Sequence, residues 1–249
     1  MGIVNVTPDS FSDGGRYFKP EEAVRRARNL LADGADIIDL GGESTRPGAT
    51  PLGWEEEWSR LEPVLRELSA PSSSLSSNSN SNLNSNSHSP RICISVDTYH
   101  PETAERAIAS GAGIINCVST ETAPEMVRIV SAARAEVELV VPASAYDAAL
   151  GSLPRERLYL DPMIGFGTTR EEDLALLRSV GELARRGRVL VGASRKRIVK
   201  KLTGEKLTGK NLGGNLGIAL WCAANGASVV RVHDVRETVQ AIRVWNSLQ

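Results

Sequence analysis

Asp97, Asn116 and Asp161 lie in or end short apolar runs at 92–97, 113–118 and 157–161. Two carboxylates and an amide form a set of acceptors with one pair of donors. Such a set holds a flat heterocycle by an edge that carries N–H donors and ring acceptors. A second set is rich in donors: Asn5 in GIVNV, Thr45 and Arg46 in GGESTRPGATP, and Arg231 and His233 in SVVRVHD. Guanidinium forks, an imidazole and a hydroxyl suit a phosphate group. Lys196, in GASRKR, falls between the two sets, where an ammonium stacks on a ring or hydrogen-bonds to it. Plainer readings stand beside these. Asp161 before Pro162 could shape a turn, Asp97 could start the next helix, and His233 could be a hydrogen-bonded core histidine. Arg197, Lys200 and Lys201 read as a solvated basic face, and Cys117 as packing.

Bringing these residues to one place makes a demand on the fold. Strand-like runs occur at 2–6, 36–42, 92–97, 113–118, 137–142, 157–161, 188–193 and 228–234, several of them apolar at consecutive positions. Strands buried on both faces, as in parallel sheets, read this way. Helical patterns lie between them: PEEAVRRARNLLADG, WEEEWSRLEPVLREL, HPETAERAIASG, TAPEMVRIVSAARA, REEDLALLRSVGELARRG, a stretch from about 194 to 225, and VRETVQAIRVWNSL. Pro63 predicts a kink or break in the second helix. Eight strands, seven followed by a full helix, favour a single-domain (β/α)8 TIM barrel over 1–249, against an open doubly wound sheet, which usually has fewer strands. The 14 residues of 143–156 leave little room for a crossover, so helix 5 is expected to be reduced. Residues 72–89, almost all Ser and Asn, cannot bury enough apolar surface to order; they predict a disordered insert between helix 2 and strand 3, on the N-terminal face. In a barrel all strand C-termini open into one mouth, where such folds do chemistry. Strands one, two and eight meet there on closure, which lets Asn5, Thr45, Arg46, Arg231 and His233 converge.

Composition narrows the partners. Of 249 residues, 41% are hydrophobic and 24% charged, and the formal net charge is −1, so the whole-protein field points to neither nucleic acid nor a membrane. Three widely spaced cysteines with no CxxC pair argue against a disulfide frame or a zinc site and for a reducing, cytoplasmic setting. No apolar run reaches the roughly 18 residues of a membrane span, and Met1 leads straight into Gly2-Ile3-Val4 without a basic leader.

The segments MGIVNVTPDSFSDGG, GADIIDLGGESTRPGA, SVDTYHPETAERAIASGAGIIN, LDPMIGFGTT, LVGASRKR and GASVVRVHDVRETVQAIR, in this order, resemble the dihydropteroate synthase family. The resemblance covers most of the chain outside the Ser/Asn insert and the short middle, and jointly the motifs are specific. It implies a pterin-binding barrel that joins 6-hydroxymethyl-dihydropterin diphosphate to p-aminobenzoate, releases pyrophosphate and is a target of sulfonamides. By position, Asp97, Asn116 and Asp161 would bind the pterin edge and Lys196 its ring. Asn5, Arg46, Arg231 and His233 would hold the diphosphate, with Mg²⁺ at Asn5. Thr45, Pro47, Phe166 and Ser194 would line the p-aminobenzoate side, and loops 7–17 and 44–53 would close over the site. Among these, Asp97, Asp161, Lys196, Arg231 and His233 would serve the chemistry. No nucleophile is required: the site neutralises the leaving diphosphate and stabilises a cationic pterin-methylene. The resemblance also implies a homodimer, and the insert hints at membership of a larger folate multienzyme, with a mitochondrial location if the source is eukaryotic. Departures are local. Cys117 and Thr120 stand where the family has aspartate and glycine, Met163 where it has glycine, and Thr168 where it has lysine. A pterin-binding barrel without the transfer activity and a pterin-dependent methyltransferase domain share the fold; the diphosphate set argues against the second.

Overall fold

The apolar runs form eight parallel strands in sequential order, β1 to β8. They are β1 (Gly2–Asn5), β2 (Ile37–Gly41), β3 (Cys93–Asp97), β4 (Ile114–Asn116), β5 (Glu138–Pro142), β6 (Leu158–Asp161), β7 (Arg188–Val191) and β8 (Val229–Val230). In this computed structural model the described residues are 1–7, 19–43, 50–70, 92–133 and 136–249. The Ser/Asn insert, loop residues 8–17 and the predicted site residues Thr45, Arg46 and Pro47 fall outside them.

The barrel closes between its first and last strands. Gly2 bridges Val232 in parallel, and Ile3 N–H donates to Val232 O and Val232 N–H to Met1 O, both at 3.0 Å. Strand eight is shorter than the seven-residue run predicted. Only Val229 and Val230 pair as a strand with β7, and beyond them Arg231 keeps one bond, to Val191 O, while its side chain takes up the ion pairs described below.

Ten α-helices are described: α1 (Pro20–Ala32), α2 (Trp54–Ser69), α3 (Pro101–Ala109), α4 (Ala123–Ala132), α5 (Tyr146–Leu150), α6 (Arg170–Arg178), α7 (Val180–Arg186), α8 (Arg197–Thr203), α9 (Leu212–Ala224) and α10 (Val235–Ser247). Helix α5 has 5 residues, the reduction read from the short connection. Two expectations change. Helix α2 runs through Pro63 as one element, so the proline does not break it. Its Leu61, Val64, Leu65 and Leu68 are buried on both sides of the proline, and four such side chains at about 1.5–3 kcal/mol each outweigh the roughly 3 kcal/mol of an internal proline. The pattern at 170–187, read as one helix, is two. Ser179 ends α6, and its hydroxyl donates back to Leu176 O at 2.9 Å, a local bond that competes with helix continuation.

The register sets the level of the site. Asn5 pairs with Gly41, Gly41 with Asp97 and Asp97 with Asn116, so three of the predicted residues share one layer at the C-terminal rim. Two residues deeper on the same faces lie Asp39 and Ser95, also in register. The opposite end of the barrel is plugged by Met1, Ile114, Val140, Tyr159 and Leu190. Among the described residues no helix is long and apolar enough to cross a membrane.

Candidate active site

Arg231 organises the mouth. Just past β8, its Nε donates to Asp39 Oδ2 at 2.6 Å and its Nη2 to Asp97 Oδ2 at 2.5 Å. The structure thus ties Arg231 to the acceptor group that includes Asp97. Asp39 is fully buried, and sequence reasoning missed it. Its signal in the sequence is a carboxylate inside the apolar run IIDL, one layer below the strand ends.

Among the described residues, acceptor oxygens of this group are left unpaired. Asp39 Oδ1, Asp97 Oδ1 and Asn116 Oδ1 are buried without a hydrogen-bond partner among the described residues. Buried acceptors are nearly always satisfied, so a cluster of orphans in one mouth marks a place for a donor-bearing ligand.

Asp161 ends β6 and is buried. Its Oδ1 accepts from Met163 N at 2.7 Å, and this bond holds Met163 in the left-handed region at φ 62. The turn then delivers Phe166 to Lys196. Lys196 Nζ donates to Ile164 O at 2.7 Å and lies 4.3 Å from the centre of the Phe166 ring. Gly165, at φ +80, is needed here, because a Cβ would stand 3.0 Å from Lys196 Cδ.

Ser194 and His233 form a separate pair. Ser194 Oγ lies 3.1 Å from His233 Nδ1 and accepts from His233 N at 3.3 Å. Between Ser194 and Lys196, Arg195 sits at φ 60. Its N–H donates to Asn215 Oδ1 at 2.8 Å, and its guanidinium reaches Asp234 at 2.5 Å. Those anchors turn Arg195 toward Asn215 and Asp234. Asn5 is half-buried at the end of β1.

Three carboxylates, Asp39, Asp97 and Asp161, face two cations, Arg231 and Lys196. Burial raises Asp97 to about 7; Arg231 opposes the rise and Asp39 adds to it. Asp161 is also raised by burial, against Lys196 and the Met163 N–H. Burial lowers Lys196 to about 8, opposed by Asp161. Burial works against the charge of Arg231 too, but Asp39 and Asp97 more than offset it, so the guanidinium stays protonated. The mouth has an excess of negative charge and open acceptors. Chemically it favours a planar, N–H-rich ring edge and any positive charge that develops on it.

Among the described residues no three His, Cys, Asp or Glu side chains are grouped to hold a metal.

The pterin binding enzyme family matches residues 1–77, 81–147 and 135–233. The dihydropteroate synthase of Neisseria meningitidis serogroup B is 36% identical, over all of this chain and 92% of that protein. The Escherichia coli K12 dihydropteroate synthase is 35% identical, over 98% of this chain and 89% of its own. Among solved structures, Xanthomonas albilineans dihydropteroate synthase with 4-aminobenzoic acid superposes with a TM-score of 0.84 at 37% identity, covering 100% of this chain and 92% of that one. The same enzyme in complex with 7,8-dihydropteroate gives a TM-score of 0.81 at 34% identity, with the same coverage.

Proposed function

The chain belongs to the pterin binding enzymes as a dihydropteroate synthase, a transferase of folate synthesis, and from that premise we propose how its own residues act. The pterin edge lies against Asp97, Asn116 and Asp161, whose unpaired or redirectable oxygens accept its ring and amino N–H groups. Lys196 and Phe166 cover the ring. The observation that carries this reading is the set of orphaned buried acceptors at the strand ends, in the mouth that also holds the Lys196–Phe166 pair.

In the reaction the bond from the pterin methylene carbon to the diphosphate oxygen breaks and pyrophosphate leaves. The aniline nitrogen of p-aminobenzoate then bonds to that carbon and loses a proton. The excess of carboxylate charge stabilises the methylene as it becomes cationic. His233, Arg46 and Asn5 hold the diphosphate. Arg231 lies within the same mouth and joins them as diphosphate displaces a carboxylate from its fork. Mg²⁺, when bound with the diphosphate at Asn5, supplies charge neutralisation of the leaving group. Thr45, Pro47, Phe166 and Ser194 line the p-aminobenzoate side. Ser194 is held for this by His233.

The protein acts as a homodimer in this reading. Helix α9 is apolar all round, yet only Asn215, Ala219 and Cys222 are buried along it, and Trp221 is 48% exposed. A helix of that composition calls for a covering partner. The free cysteines Cys93, Cys117 and Cys222 suit a reducing compartment such as the cytoplasm.

The test supplies pterin diphosphate, p-aminobenzoate and Mg²⁺ and follows pyrophosphate and dihydropteroate. Both products should appear together. Tight pterin binding without product would reassign the chain as a pterin-binding barrel without transfer activity.

A further inference from the structure

Asp173 is fully buried in the first turn of α6, where an acidic residue would ordinarily face water. The helix does not need it there. Thr169 and Glu172 already close α6 with a reciprocal capping box. Asp173 Oδ1 accepts instead from Gly165 N at 2.8 Å and from Thr168 Oγ1 at 2.5 Å. Its Oδ2 is buried with no hydrogen-bond partner among the described residues. Thr168 Oγ1 in turn lies 3.1 Å from Gly165 N, so the three groups form one knot.

The knot lies under the part of the site that holds the ring. Gly165 is flanked by Ile164, whose carbonyl takes the Lys196 ammonium, and by Phe166, whose ring lies beneath it. Arg197 donates to Thr168 O and fixes the far end of the turn. Charged groups reach Lys196 from four elements: Asp161 on β6, Asp97 on β3, Arg231 after β8 and Asp173 on α6. Asp97 and Asp161 take part in binding and Arg231 is shared with Asp39. Asp173 is the carboxylate of this group that lies behind the turn, away from the ring.

We propose that Asp173 is a positioning residue of the pterin site: its buried carboxylate fixes the turn Ile164–Thr168, whose Ile164 carbonyl takes the Lys196 ammonium, and sets a carboxylate behind that turn. The proposal rests on the pterin reading for its catalytic consequence, but not for the behaviour of Lys196 itself. Thr168 is part of the same device, since its hydroxyl donates to the carboxylate.

The test has a ligand-free arm and a kinetic arm. In ligand-free protein, lysine side chains labelled with ¹³C at Cε are titrated by NMR, with Lys196→Met to assign the signal. Asp173→Asn preserves the Oδ1 acceptor and removes the charge, so the Lys196 midpoint should move to lower pH. Thr168→Val preserves the charge and removes the hydroxyl that donates to Asp173 and accepts from Gly165 N, so the midpoint should stay while KM for the pterin diphosphate rises at least about 10-fold, the weight of one charge-assisted hydrogen bond. Asp173→Ala should raise that KM further than Asp173→Asn does, with kcat less affected. An unchanged Lys196 midpoint in Asp173→Asn, or an unchanged KM in Thr168→Val, overturns the proposal. If the wild-type chain makes no dihydropteroate, the synthase reading fails while the titration still judges Asp173.

Discussion

Asp97→Asn sets what the fold prefers against what the ligand needs. In the folded protein burial lifts Asp97 from 3.8 to about 7. Between those values the folded chain holds a proton here that the unfolded chain has lost, so wild-type stability falls as pH rises through the window. Above pH 7 the full penalty applies: about 3 pH units, or roughly 4 kcal/mol at most. Asparagine removes the charge. It leaves the Arg231 guanidinium with a neutral acceptor at this position and the Asp39 carboxylate at its Nε, so part of the gain is lost. We expect a net stabilisation of about 2 kcal/mol at pH 8, or ~4–8 °C in Tm for a domain of this size. The advantage should shrink strongly toward pH 4, where the wild-type carboxyl is protonated in the folded state and nearly half protonated in the unfolded one. Pterin binding should move the other way, weakening about 10- to 100-fold through loss of a charged acceptor. Scanning calorimetry of both proteins from pH 4 to 8.5, with isothermal titration of 6-hydroxymethylpterin, measures the two effects. A Tm difference that does not vary with pH would refute the raised carboxylate, and unchanged pterin affinity would refute its role as acceptor.

Three further outcomes follow from the same geometry. Met163 at φ 62 is strained for a side chain with a Cβ, so Met163→Gly should stabilise the fold by about 0.5–1 kcal/mol in urea titrations; a loss of stability would mean that the side chain packs better than the turn suffers. Arg231→Ala strands the buried pair Asp39 and Asp97, and should destabilise by roughly 3–5 kcal/mol at pH 8. At pH 5 a proton can replace the lost cation, so the difference should be clearly smaller; equal losses at both pH values would place the role of Arg231 in packing. With Lys196 lowered to about 8, kcat/KM should fall on an alkaline limb near that pH, and Lys196→Arg should displace the limb upward even if the maximum rate is reduced. A limb that stays in place belongs to another group.

The parts of the fold that the sequence made plain are those whose cause is local. Buried parallel strands announce themselves as apolar runs, and helices α1, α3 and α4 carry proline at their first turns. What depends on tertiary choice was not legible. The split at Ser179 hangs on one hydroxyl turning back to Leu176 O. Beyond the two paired residues of β8, Arg231 keeps its backbone bond to Val191 O while its side chain serves two carboxylates. In the site, Asp97, Asn116 and Asp161 were legible as polar residues in apolar company. Asp39 had the same signature but lay a layer deeper. Asp173 could not be distinguished from its neighbours in REEDLALL, because an acid in a first turn normally serves the helix dipole, and only the fold shows that this one faces inward.

The two ends of the barrel differ in a way that bears on function. At the N-terminal end one polar cluster is mutually paired: Tyr159 Oη donates to Glu138 at 2.9 Å, Arg188 pairs with Glu138 at 2.5 Å, and the guanidinium stacks 3.9 Å from the Tyr159 ring. At the C-terminal end, among the described residues, Met163 and Arg195 stand at positive φ, Asp39 Oδ1, Asp97 Oδ1 and Asn116 Oδ1 are orphaned acceptors, one carboxylate is raised and one lysine lowered. Such features cost on the order of 1–3 kcal/mol each and persist only where the surroundings impose them. A pterin would supply donors to the acceptors and accept the excess negative charge. Binding must then stabilise the fold by relieving these terms, through the ordinary linkage of ligand to the native state. The relief should be greatest where Asp97 is ionised. The rise in Tm caused by a saturating pterin should therefore be larger at pH 8 than at pH 5, although the unliganded protein is under less strain at pH 5. That ordering cannot arise from apolar burial of the ring alone, because apolar burial does not depend on pH.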